Sequence, residues 1–108
     1  MKKFCIKLPI FTSWVDFVYE CTDKEFCKKY WVDDTRVVWW LTITEKWCMP
    51  LIWIDNELDI WLVSHEIIHA VQALMSYRNI NDKECFAYTF EFILNEYIKK
   101  IWITFNLK

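Results

Sequence analysis

Glycine is absent from this 108-residue chain, and proline occurs only twice. Motifs in which the backbone passes close to a phosphate need glycine, so a P-loop and a dinucleotide-binding fingerprint are excluded. Tight turns fall to Asn and Asp, which tolerate left-handed backbone. Histidine is scarce too: His65 and His69 are the only two. The cysteines Cys5, Cys21, Cys27, Cys48 and Cys85 are odd in number and form no C-x-x-C pair. That argues against a zinc knuckle or a disulfide framework and for buried thiols in a reducing cytoplasm. Positive charge is not in excess; the formal net charge is −2 and no basic stripe appears, so nucleic acid is not the expected partner. No uncharged apolar run approaches the roughly 20 residues of a membrane span. Near the start, Lys7 and Pro9 interrupt the apolar run that a signal peptide would need. A cytoplasmic protein with no membrane partner is expected, and its oligomeric state is open.

Apolar mass is abundant instead. Hydrophobic residues make up 56% and aromatics 19%, with eight tryptophans. The chain therefore folds, and its length allows one core and one domain spanning 1–108. So small a core cannot hide every tryptophan, so some are expected at a surface or interface.

Residues 4–11 read as a strand bent at Pro9. Residues 13–20 alternate Val15, Phe17 and Tyr19 against Trp14, Asp16 and Val18, a half-buried strand expected to pair with the first as a hairpin. Thr22 and Glu25 form a capping box for a short helix from Asp23 to Tyr30. Asp33-Asp34 marks a turn. Residues 36–44 (RVVWWLTIT) give the strongest strand signal. A loop over 45–50 leads to a short strand over 51–55 (LIWID). Next comes a helix capped by Asp55 or Asn56, with Glu57 and Asp59 in its first turn, running to about Ser76 or Arg78. Asp82 caps a last helix from about Lys83 to Ile101. The tail, 102–108, either extends that helix or forms a strand. This order predicts an α+β fold: a small, mostly antiparallel sheet of about four strands, packed on the central helix and a C-terminal helix.

The central helix carries His65-Glu66-Ile67-Ile68-His69, the pattern H-E-x-x-H. One helical turn separates the histidines, so both imidazoles project from one face and can hold one metal ion. Glu66 lies about 100° round the helix from His65, where it can reach a metal-activated water without ligating the metal. Leu62, His65, His69, Gln72 and Ser76 share this face; Ile60, Val63, Ile67, Val71 and Leu74 form the opposing core stripe. By chance the pattern arises in roughly one chain of this size in a few hundred, so it is a specific signal. A catalytic zinc takes three protein ligands and leaves the fourth position for water. With no third histidine, the remaining ligand must be acidic or a thiolate, and the last helix offers the best candidates.

HEIIHA, followed by Asp82-Lys83-Glu84-Cys85-Phe86-Ala87-Tyr88, resembles the gluzincin metallopeptidases. More closely it is similar to small phage and bacterial metallopeptidases in which H-E-x-x-H precedes an E-x-x-A-Y segment opening the next helix. The resemblance covers about Asp55 to Tyr97. It implies a zinc (Zn2+) peptidase with His65, His69 and Glu84 as ligands, Glu66 as general base, and Tyr88 beside the site helping to bind the transition state. The gap from His69 to Glu84 is shorter than in gluzincins and lacks their glycines. Helix geometry adds a rival ligand: a tight antiparallel hairpin turning near Ile80 would set Glu91, not Glu84, opposite the histidines.

The expected activity is amide hydrolysis of a peptide or protein, the substrate adding to the edge of the 51–55 strand, which is read as free. Two other readings share the site. One is a non-catalytic phage or bacterial binding or inhibitor protein that keeps the zinc site and uses its tryptophans as a partner surface. The other is a toxin-like hydrolase of non-peptide amides or esters.

Overall fold

The computed structural model describes residues 1–9, 13–30, 40–43 and 50–106. Its elements run β1 (Lys2–Lys7), β2 (Trp14–Tyr19), α1 (Asp23–Tyr30), β3 (Trp40–Ile43), β4 (Leu51–Ile54), α2 (Ile60–Tyr77) and α3 (Lys83–Asn106), an α+β arrangement. The sheet order is β1-β2-β4-β3. The expected turn at Asp33-Asp34 and the loop over 45–49 lie outside the described residues, as do the ends of the expected strands over 4–11 and 36–44.

The period-two alternation of β2 decides the layers. Val15, Phe17 and Tyr19 are buried on one face with Ile6 of β1 and Ile52 and Ile54 of β4. Against that face pack Val63, Ile67, Ala70, Val71 and Leu74 of α2 and Ile93, Tyr97 and Ile101 of α3. Each Val, Leu, Ile or Phe side chain among them, fully buried, stabilises the fold by about 1.5–3 kcal/mol. Phe4 stacks on Phe17 with ring centroids 5.1 Å apart and also meets the Tyr97 ring at 5.8 Å. Val18 points the other way, yet it too is buried. Phe26 of α1 covers it together with Trp53 of β4, the two rings 6.0 Å apart. Helix α1 is therefore a lid on the second face, which alternation in β2 could not reveal.

The β1–β2 hairpin pairs antiparallel with Phe4 opposite Phe17. β3 and β4 are also antiparallel. β2 and β4, however, run parallel, with Phe17 opposite Ile52. The sheet is thus mixed where a mostly antiparallel one was expected. A parallel pair needs a long crossover, and the chain between Tyr19 and Leu51, which carries α1 and β3, supplies it. The pairing also corrects the reading of 51–55 as a free edge. β4 is interior, bonded to β2 on one side and β3 on the other; among the described residues β3 is the outermost strand at that end of the sheet.

Local signals fix the helix ends. In the capping box, the Thr22 backbone N–H donates to Glu25 Oε1 and the Glu25 N–H donates to Thr22 Oγ1, both at 3.1 Å. Helix α2 starts later than expected. Asp59, rather than Asp55 or Asn56, is its N-cap, accepting from the Leu62 N–H at 3.2 Å. Asn56 instead closes a turn before it, its Oδ1 accepting from the Leu58 N–H. Glu57 and Asp59 therefore precede the first turn. At the far end Asn79 takes φ 53°, a left-handed conformation that Asn supplies where glycine is missing. Asp82 caps α3 as expected, its Oδ1 accepting from the N–H groups of Glu84 and Cys85. The tail is helical to Asn106. Cys5, Cys21, Cys27 and Cys85 are half-buried rather than buried, and Cys48 lies outside the described residues. No helix among the described residues is long and apolar enough to cross a membrane.

Candidate metal centre

Helix α2 has three kinds of face. The stripe Val63, Ile67, Ala70, Val71 and Leu74 is sealed against the sheet and α3, whereas His65, His69, Gln72 and Ser76 are exposed. Glu66 sits between them. It is one turn from Val63 and Ala70 on the helical net, and only 3% of it is exposed. The side chain of His65, one residue before, is 53% exposed. A helix turn of alternating environments thus sets two solvent-facing rings over one buried carboxylate.

The distances are short. His65 Nε2 and His69 Nε2 lie 3.1 Å apart, within hydrogen-bond range, the donor being whichever ring carries the proton. The rings meet edge to face, with centroids 4.7 Å apart. Glu66 Oε2 is 3.9 Å from His65 Nε2. One donor atom from each of His65, Glu66 and His69 falls within 4.8 Å of the others.

This set fits zinc. With Zn–N bonds of about 2.0–2.1 Å, tetrahedral geometry places two ligand nitrogens roughly 3.3 Å apart, close to the spacing of these rings.

The residues expected from α3 are not part of the cluster. Glu84, Tyr88 and Glu91 are all exposed, on one face of α3 at spacings of four and three. Ile93, Tyr97 and Ile101 are buried on the opposite face, with half-buried Phe86 and Phe90 beside them. At 100° per residue the two faces are about half a turn apart, so seating the apolar face on the core aims the acids outward. The structure therefore brings together His65, Glu66 and His69, and it leaves Glu84, Glu91 and Tyr88 outside that group. A thiolate is disfavoured at Cys5 and Cys21, where burial, the largest cause, pushes the thiol up from its usual range.

One residue that ties α3 to the approach to α2 lay unnoticed in the sequence. The Tyr97 hydroxyl donates to the Glu57 carbonyl oxygen at 2.6 Å, tying α3 to the turn that launches α2. Burial pushes this hydroxyl well above the usual phenol range, and the neighbouring Glu57 and Tyr19 raise it further. The only signal was a tyrosine inside an apolar stripe, whose hydroxyl has to find a partner when buried.

Comparison with family models, with curated proteins and with solved structures finds no match to this chain.

Proposed function

We propose that this protein is a zinc-dependent metallopeptidase whose metal is held by His65 and His69. The observation that carries the reading is the pair of Nε2 atoms 3.1 Å apart beside the buried Glu66 carboxylate. When bound, zinc supplies a Lewis acid for the substrate carbonyl and a water with a pKa near 7. The chain's own residues do the rest. His65 and His69 present neutral ring nitrogens, which ligation requires. Glu66 takes the proton of the attacking water on a carboxylate oxygen and hands it to the leaving nitrogen. Burial keeps that carboxylate in place, 3.9 Å from His65 Nε2. An extended peptide would add as a further strand along β3, the outermost described strand on this side, which, like β4, packs on α2.

A second reading is favoured by the outward aim of Glu84 and Glu91: without a third ligand from α3 a catalytic zinc lacks part of its usual set, and the chain would be a binding protein that keeps the metalloprotease-like histidine pair without turnover. Two measurements decide between them: zinc content of the purified protein and of His65→Ala, and zinc-dependent cleavage of a peptide library. The peptidase reading expects bound zinc in the wild type, its loss in His65→Ala, and cleavage that chelation abolishes. Equal zinc in both proteins removes both readings. Zinc without cleavage leaves the binding protein.

A further inference from the structure

The turn that ends α2 also builds a cavity. With Asn79 in its left-handed conformation, the Asn79 N–H donates to the Ser76 carbonyl at 3.2 Å and the Ile80 N–H to the Met75 carbonyl at 3.0 Å. This pair of bonds folds the chain back and lays the residue after the left-handed one against the end of the helix. Ile80 accordingly packs on the core that includes buried Met75, and Phe86 of α3 packs there too. Met75, Ile80 and Phe86 form the apolar part of the wall of a cavity of about 420 Å³, and exposed Gln72, Ser76 and Asn81 line it as well. An apolar cavity of this size with a few polar groups is the usual make-up of a ligand site. Its two charged lining residues, Asp82 and Lys83, cancel. Asp82 is moreover occupied, capping α3 through the N–H groups of Glu84 and Cys85. The amide and hydroxyl groups can bond a passing peptide backbone, while the apolar wall suits an apolar side chain.

The cavity shares a face of α2 with the histidines. At 100° per residue, Gln72 and Ser76 both fall within about 20° of His65 around the helix axis. Gln72, Met75 and Ser76 centre about seven residues beyond the midpoint of His65 and His69, roughly 11 Å at 1.5 Å per residue. An extended peptide covers about 3.3–3.4 Å per residue, so roughly three of its residues separate metal and cavity. We propose that this cavity is a specificity subsite of the peptidase, taking a large apolar side chain, leucine or phenylalanine, three residues from the scissile bond. The cavity lies to one side of the histidine pair, so the preference falls on one side of the bond only. The flexible thioether of Met75 lets the wall adjust to either side chain. The subsite rests on the peptidase reading of His65, Glu66 and His69.

Cleavage of a peptide library by the zinc-loaded full chain, read position by position, tests it, with Ser76→Trp as the variant that fills the cavity from its exposed side. The expected result is a preference of about tenfold or more in kcat/KM for leucine or phenylalanine over alanine at the third residue on one side of the bond, the size of effect an apolar pocket yields. In Ser76→Trp that preference should shrink to within about twofold, with bound zinc and helical circular dichroism kept. Cleavage without such a preference, or a preference that Ser76→Trp leaves intact, overturns the subsite and leaves the peptidase standing. Absence of zinc-dependent cleavage overturns the peptidase and the subsite with it. Methyl NMR on zinc-loaded Glu66→Gln reads occupancy without turnover. The best library peptide should shift the Met75 methyl, and its counterpart with alanine at the third residue should not. A peptide that perturbs His65 and His69 but leaves the Met75 methyl unmoved overturns the subsite alone.

Discussion

Helices α2 and α3 each carry chemically capable residues on one face, and only α2 assembles them. On α2, His65, Glu66 and His69 converge to within 4.8 Å. On α3, Glu84, Tyr88 and Glu91 line up just as regularly and face solvent. The difference is one of range. Residues within one helix are related by 3.6 residues per turn, whatever the helix packs on. Residues on two helices are related by which stripe each helix buries, a matter for the whole core. The motif on α2 is a local statement; a third ligand from α3 would be a tertiary one.

The strongest test of the α2 side is Glu66→Gln. The amide keeps the shape of the side chain and removes the base. Zinc content should hold while cleavage falls by roughly 10²–10⁴-fold, the usual contribution of a positioned proton acceptor. Turnover that survives would reassign the base. Acidification should strip zinc from the wild type, because protonated imidazole cannot ligate.

The comparison breaks most directly at Glu84. With its face turned outward, Glu84→Ala and Glu91→Ala should each leave zinc affinity within about a factor of two, whereas loss of a residue even next to a metal ligand typically costs 10–100-fold. A large loss in Glu84→Ala alone would show that α3 swings its acidic face to the metal when zinc binds. That outcome would restore the ligand set implied by the gluzincin-like segment.

Much of this was legible in the residues themselves. The capping box at Thr22 and Glu25, the cap at Asp82, the β1–β2 hairpin and the helix around H-E-x-x-H depend on neighbours a few positions apart. What escaped depends on distant partners. The parallel β2–β4 pair has no local signature, because alternation tells which side chains point inward and not which strand lies alongside. The start of α2 moved to Asp59 because Asn56 spends its side chain on a turn of its own. The outward aim of Glu84 could have been anticipated: Phe86, Ile93, Tyr97 and Ile101 form an apolar stripe on the other side of α3.

Tyr97 joins the two helices and gives a mid-sized test of how far α3 matters to α2. Tyr97→Phe keeps the ring among Phe4 and Phe17 and deletes the hydrogen bond to Glu57. The orphaned carbonyl should lower stability by about 1–2 kcal/mol in denaturant titration. Zinc affinity should fall as well if this bond sets where α2 begins. Unchanged zinc with lowered stability would make the bond a structural tie only.

The smallest effect sits at the most local end of the comparison, in the capping box. The hydrogen bonds between Glu25 and Thr22 hold the Glu25 carboxyl below its usual range. The folded chain therefore binds that proton more weakly than the unfolded chain does. The stabilisation is complete above the unfolded carboxyl's pKa, about 4.3, and drains away as pH falls through the lower folded value. Melting temperatures of wild type and Glu25→Gln should thus differ slightly at neutral pH and converge in acid. Glu25 is fully exposed, so salt and solvent screen much of the charge contribution and the gap is expected to be small. A gap that widened on acidification would mean that the protonated carboxyl, and not the carboxylate, makes the stabilising contact, and the hydrogen bonds to Thr22 would then not be the source of the cap's strength.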